Sequence, residues 1–92
     1  MSYSLDYTHD ALEDYNKLVE KGDKKYLTKL NRLIDEVVDH PRTGTGHPER
    51  LKGREEEVWS RRIDKKNRLV YIIYEETVLI LVVSVSGHYS DK

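Results

Sequence analysis

Cysteine and phenylalanine are both missing from this chain of 92 residues. Without cysteine there is no disulfide framework and no thiolate metal site. The fold must rest on apolar packing, with seven tyrosines and one tryptophan taking the place of phenylalanine. No run approaches the roughly 20 apolar residues of a membrane span, and the opening MSYSLDYTHD lacks the basic start and apolar stretch of a signal peptide. A soluble, cytoplasmic protein is the expectation. Net charge is lacking too, with 16 Lys and Arg against 17 Asp and Glu, which argues against a polycation that coats nucleic acid.

What charge there is has been sorted along the chain. Residues 1–40 carry six basic and nine acidic side chains, whereas residues 42–68 carry nine and five. A local basic stretch on a near-neutral chain is the footprint of a site that grips a few phosphates. The length suits one domain, 1–92, with a modest core. Tyr3, Leu5 and Tyr7 alternate with Ser4, Asp6 and Thr8, as on a short strand with one apolar face. From about His9 to Lys21 the period becomes helical, with Thr8 or Asp10 as N-cap and Gly22 as a stop. Asp23 caps a second helix whose stripe is Leu27, Leu30, Ile34, Val37 and Val38, and Pro41 ends it.

A turn-rich stretch, Pro41 to Pro48, then leads into a hairpin, Val58 to Tyr71. The last strand, Thr77 to Val85, holds a nearly all-apolar run that predicts a central or doubly covered position. The order β-α-α-β-β-β reads as an α+β domain, a helical hairpin packed on a twisted antiparallel sheet.

The hairpin carries Arg61, Arg62 and Arg68. A buried charge must be paired or it is costly, so three arginines on one small hairpin suggest an anion-binding face. The plainer alternative is surface pairing with Glu55, Glu56, Glu57 or Asp64, contributing about 0–1 kcal/mol. Arg62 and Arg68 share a sheet face only if they lie opposite each other across a five-residue connection, or if a bulge shifts the register. Sharing is the expectation. Trp59 and Tyr71 read as packing residues rather than base-stacking platforms, and His9, His40 and His47 show no metal-ligand spacing.

Four blocks then stand in order: Gly46-His47-Pro48-Glu49-Arg50-Leu51-Lys52, Trp59-Ser60-Arg61-Arg62-Ile63, Asn67-Arg68-Leu69-Val70-Tyr71, and His88-Tyr89. Together they resemble the YoeB (Txe) branch of the RelE/ParE toxin superfamily of bacterial toxin-antitoxin systems, over roughly Tyr3 to Tyr89. The resemblance implies a RelE-like, microbial-ribonuclease-like fold and ribosome-dependent cleavage of mRNA at the A site. It makes Glu49 the base that takes a proton from a ribose 2′-OH, and His88 the acid that protonates the departing 5′ oxygen. Arg68 would meet the charge building on the phosphate, Lys52, Arg61 and Arg62 would contact RNA, and Tyr89 would orient or stack a base. No metal or cofactor is required, and DNA, lacking the 2′-OH, should be inert. Taken alone, Glu49 would rank as a solvated surface charge and His88 as an exposed histidine.

The partners implied by resemblance are a YefM-like antitoxin with a C-terminal segment that folds on binding, and the ribosome with its A-site mRNA. Operator DNA would be contacted only through the antitoxin, a homodimer has room, and no membrane is involved. Two features depart from the pattern. Ser90, Asp91 and Lys92 follow the His-Tyr pair at which members often stop, and the near-neutral charge weakens non-specific attraction to rRNA. Two other readings stay open: a ParE-like toxin that inhibits DNA gyrase without cleaving anything, and a catalytically dead RNA-binding or antitoxin-docking relative. Glu49, Arg68 and His88 occurring together favour the nuclease.

Overall fold

The computed structural model describes residues 2–87. Its two helices begin by the same device. The Thr8 hydroxyl accepts from the Ala11 N–H at 3.1 Å and the Asp23 carboxylate from the Tyr26 N–H at 3.2 Å, each serving an amide that has no partner within its helix. Thr8, not Asp10, is therefore the first cap. Helix α1 (His9–Lys21) stops at Gly22, whose φ of 77° lies in the left-handed region and whose N–H reaches the Leu18 and Val19 carbonyls. Helix α2 (Lys24–Asp39) ends at His40, where Pro41 cannot continue it.

Five strands form one sheet in the order β1-β5-β4-β3-β2: β1 (Ser4–Tyr7), β2 (Glu49–Arg50), β3 (Glu57–Arg62), β4 (Arg68–Tyr74) and β5 (Leu79–Ser84). The apolar strand β5 lies between two neighbours, as its composition predicts. β1 runs parallel to β5, with Leu5 opposite Ile80 and Tyr7 opposite Val82. All other pairings are antiparallel, so the sheet is mixed rather than antiparallel throughout, and the two-residue β2 is an addition to the expected order. The α+β fold of two helices on one sheet stands.

Alternation along the strands gives the sheet two different faces. Ile63, Leu69, Tyr71, Ile73, Ile80 and Val82 pack with Ala11 of α1 and with Leu30, Leu33, Ile34 and Val37 of α2. Each large apolar side chain buried this way contributes about 1.5–3 kcal/mol. The intervening positions, Ser60, Arg62, Arg68 and Val70 among them, fall on the face away from the helices. Among the described residues no helix is long and apolar enough to cross a membrane.

Candidate active site

Three strands assemble the site. Glu49 of β2 lies opposite Ser60 of β3, Ser60 opposite Val70 of β4, and Arg62 opposite Arg68. Directly opposed residues project to the same side, so Glu49, Arg62 and Arg68 share the face away from the helices. The connection between the arginines is the five-residue one their sharing requires. Ile63 N–H donates to the Asn67 carbonyl at 2.9 Å, and the Asp64 carboxylate accepts from the Lys66 and Asn67 backbone amides and from Asn67 Nδ2 at 2.8–3.0 Å. These bonds, that from the Asn67 side chain foremost, hold the Asp64 carboxyl below its ordinary range.

The two arginines meet without sharing backbone bonds. Arg62 N–H turns outward to the Gly46 carbonyl at 2.7 Å, and Arg68 N–H turns the other way to the Gly87 carbonyl at 3.1 Å. They form a non-hydrogen-bonded pair, the kind in which Cα atoms approach to roughly 4.5 Å and side chains lie closest. Two like charges so opposed repel each other. Arg62 is exposed and Arg68 half-buried, and among the described residues Nη1 of Arg68 is buried with no hydrogen-bond partner. A buried donor without an acceptor is costly. Paired guanidinium groups with an unsatisfied nitrogen suit a bound oxyanion, which would relieve both penalties.

The flanking segments are tied down around this pair. Gly87, which precedes His88 in the sequence, donates its N–H to Asn67 Oδ1 at 2.7 Å while its carbonyl accepts from Arg68. His88 and Tyr89 themselves lie outside the described residues. On the other side, His47 has φ 52° and Gly46 φ 87°. A left-handed residue directly before a proline is an unusual backbone, and it swings the chain into β2 at Glu49, which is exposed. Lys52 is exposed in the turn after β2, close on Leu51, whose N–H donates to the Val58 carbonyl at 2.8 Å.

Arg61 corrects the expectation that it contacts RNA. It lies opposite Leu69 on the helix-facing side and is completely buried. Its guanidinium donates to Tyr71 Oη at 3.0 Å, to Glu36 Oε1 at 2.6 Å, to the Thr45 and Thr43 carbonyls at 3.3 and 2.8 Å, and to the His40 carbonyl. Tyr71 Oη in turn donates to the Pro41 carbonyl at 2.6 Å. One buried cation therefore clasps the loop between α2 and β2. Strand alternation forbids Arg61 and Arg62 from sharing a face, so only one of the adjacent arginines could join Arg68. The partner, Glu36, was not visible in the sequence as such, although its place beside Leu33 and Val37 marks a helix carboxylate bordering the core. Its carboxyl is held below the ordinary range, first by the Thr45 backbone N–H.

Ser60, which sits between Glu49 and Val70 and is only 6% exposed, is a further polar residue of this face, within a motif block but without a role assigned from the sequence. Among the described residues no three His, Cys, Asp or Glu side chains are grouped to hold a metal ion.

Known proteins share this sequence pattern and this fold. The toxin YoeB of Streptomyces coelicolor is 39% identical over 77 residues, covering 84% of this chain and 90% of its own. The structure of the YoeB/ParE toxin from Agrobacterium tumefaciens is similar with TM-score 0.84 and 32% identity, over 94% of this chain and 99% of that one. YoeB from Staphylococcus aureus is 31% identical in two structures, a dimer with TM-score 0.81 and a heterotetrameric YoeB-YefM toxin-antitoxin complex with TM-score 0.79, each covering 97% of this chain and 100% of the other. Residues 7–89 match the model of the YoeB-like toxins of bacterial type II toxin-antitoxin systems, and the chain belongs to that family.

Proposed function

We propose that this toxin is a ribosome-dependent endoribonuclease that cuts mRNA at the A site, in the cytoplasm. Glu49 takes the proton from a ribose 2′-OH, the freed oxygen attacks the neighbouring phosphorus, and His88 protonates the 5′ oxygen as the P–O bond breaks. The products are a 2′,3′-cyclic phosphate and a 5′-hydroxyl. Arg68 stabilises the charge that builds on the non-bridging oxygens, Arg62 and Lys52 hold backbone phosphates, and Tyr89 orients a base. The observation that carries this reading is the opposed pair Arg62 and Arg68, with an orphaned nitrogen on Arg68, on the face that also bears Glu49. The ribosome supplies the substrate positioning that an open sheet face lacks.

A YefM-like antitoxin is the cognate inhibitor, in keeping with the complex known for the Staphylococcus aureus relative. A homodimer fits the dimer known for the same relative. Operator DNA is contacted through the antitoxin.

The test is primer extension on an mRNA translated by purified ribosomes, with wild-type protein beside Glu49→Gln, Arg68→Ala and His88→Gln, and one arm without ribosomes. Cuts at A-site codons that need ribosomes and disappear in folded variants are expected. An intact message with translation continuing would end the nuclease reading and point to gyrase as the next target to assay.

A further inference from the structure

Beside the arginine pair, the structure holds a cavity of about 460 Å³ between the loop into β2, the β3–β4 turn and α2. Its floor is Ile63, almost fully buried, and the backbone of Gly46. Its rim carries Lys29 of α2, Lys65 of the turn, His47 and Arg62. Asp64 also lines it; its carboxylate accepts from the Lys66 and Asn67 amides and the Asn67 side chain and stays ionised, within the electrostatic reach of Lys29. No hydrogen bond or salt bridge among the described residues engages the side chains of Lys29, Lys65 or Arg62. Lys29 and Lys65, from separate segments, thus flank one concavity with an apolar floor, with Asp64 as the carboxylate among its lining residues. Arg62 borders the cavity while its side chain lies on the sheet face shared with Arg68, so the cavity adjoins the arginine pair. The volume lies within the range of small-molecule sites, and an apolar floor with a cationic rim matches a nucleotide, base inward and phosphate outward.

We propose that this cavity is a subsite for the mRNA nucleotide adjoining the cleaved bond, its phosphate held by Lys29 and Lys65. The proposal rests on the ribonuclease reading and extends it to residues that neither the motifs nor the strand register implicated. Lys29 reaches the site from a helix, so it constrains the path of the RNA after it leaves the sheet. Neither lysine touches the reacting atoms, and their contribution is to hold the substrate.

The experiment places an uncharged methylphosphonate at one linkage at a time on either side of the cut within an A-site codon. Ribosome-dependent cleavage is then followed with wild type and with Lys29→Gln/Lys65→Gln, both positions being exposed, and circular dichroism checks the fold. Neutralising one flanking linkage should slow wild type by about tenfold, the lower end of what a charge-assisted hydrogen bond contributes. The double variant should be slowed as much on the natural message and no further on the neutralised one, which is the signature of a shared interaction. Additive losses at every linkage would overturn the subsite and assign the lysines to ribosomal RNA or protein. A double variant as fast as wild type would overturn it as well. Wild type that leaves the unmodified message intact would instead bring down the nuclease reading beneath it.

Discussion

Nη1 of Arg61 donates to Oε1 of Glu36 across 2.6 Å, joining β3 to the last turns of α2, with the arginine side chain wholly buried and the glutamate 30% exposed. A buried charge is tolerable only when its partners satisfy it, and here four other acceptors complete the set. Arg61→Ala would take this donor from three loop carbonyls and leave Glu36 with its Thr45 donors alone, and should cost about 3–5 kcal/mol. Arg61→Lys should recover little, since an ammonium cannot reproduce the planar fork. Urea unfolding measures both. An Arg61→Ala protein of unchanged stability that had lost RNA affinity would return Arg61 to the RNA-contacting set.

That pair also marks where the sequence stops being informative. Helix positions, caps and the β5 run were legible because period, Thr8, Asp23 and Gly22 act locally. The face shared by Arg62 and Arg68 was legible as a condition on loop length, and the five-residue connection meets it. The burial of Arg61 is not legible, because its acceptors come largely from α2 and the loop that follows, and no local pattern announces a partner 25 residues away. The direction of β1 was hidden for a different reason. If each connection reverses the chain, a single extra strand changes the parity between first and last, and the two-residue β2 is too short to leave a periodic signal. The candidate site is legible by motif, but Ser60 has no role assigned within its block, Lys29 and Lys65 carry no motif, and all three become visible only through register and the shape of the cavity.

Acid should loosen the fold through carboxylates whose ionised form is bound in the native state. The Thr45 amide, followed by other contacts including Arg61, holds Glu36 below its ordinary value near 4.5, and Arg42 does so first among the causes for Glu57. A depressed folded pKa gives stabilisation that is complete above the unfolded value and is lost as pH falls through the folded one. Urea midpoints should therefore be level from neutrality to about pH 5 and then decline. Glu36→Gln should flatten part of that decline. An unchanged acid slope in this variant would mean that the loop clasp does not depend on the Glu36 charge.

Arg68 should trade stability against activity. Its Nη1 lacks a partner among the described residues, and it faces the like charge of Arg62. Arg68→Leu removes a buried orphan donor and a repulsion while keeping an apolar stem. The variant should gain about 1 kcal/mol in urea unfolding and lose about 100-fold or more in ribosome-dependent cleavage, the magnitude expected when a transition-state donor is deleted. A variant that is both inactive and less stable would show that Arg68 is satisfied in the native state, and that its loss acts through the fold.

Gly46 tests whether the approach to β2 is set by close packing. A Cβ there would lie 2.9 Å from the Arg62 carbonyl oxygen at a φ of +87°, whereas at Gly53, with φ +78°, it would meet nothing within 4 Å. Both glycines occupy left-handed backbone, so alanine at either should cost about 1 kcal/mol for conformation alone. Only Gly46→Ala adds a clash with a strand, for about 1–3 kcal/mol more. Because the Gly46 carbonyl accepts from Arg62 N–H, the backbone that must move is the one bonded to a site arginine and leading to Glu49. Gly53→Ala should therefore retain cleavage per folded molecule, and Gly46→Ala should lose about tenfold or more, in keeping with the cost of a small misplacement at a reacting centre. Equal stability losses in the two variants, with cleavage kept in both, would mean that the loop can shift away from β3 without disturbing the face that Glu49 shares with the arginines.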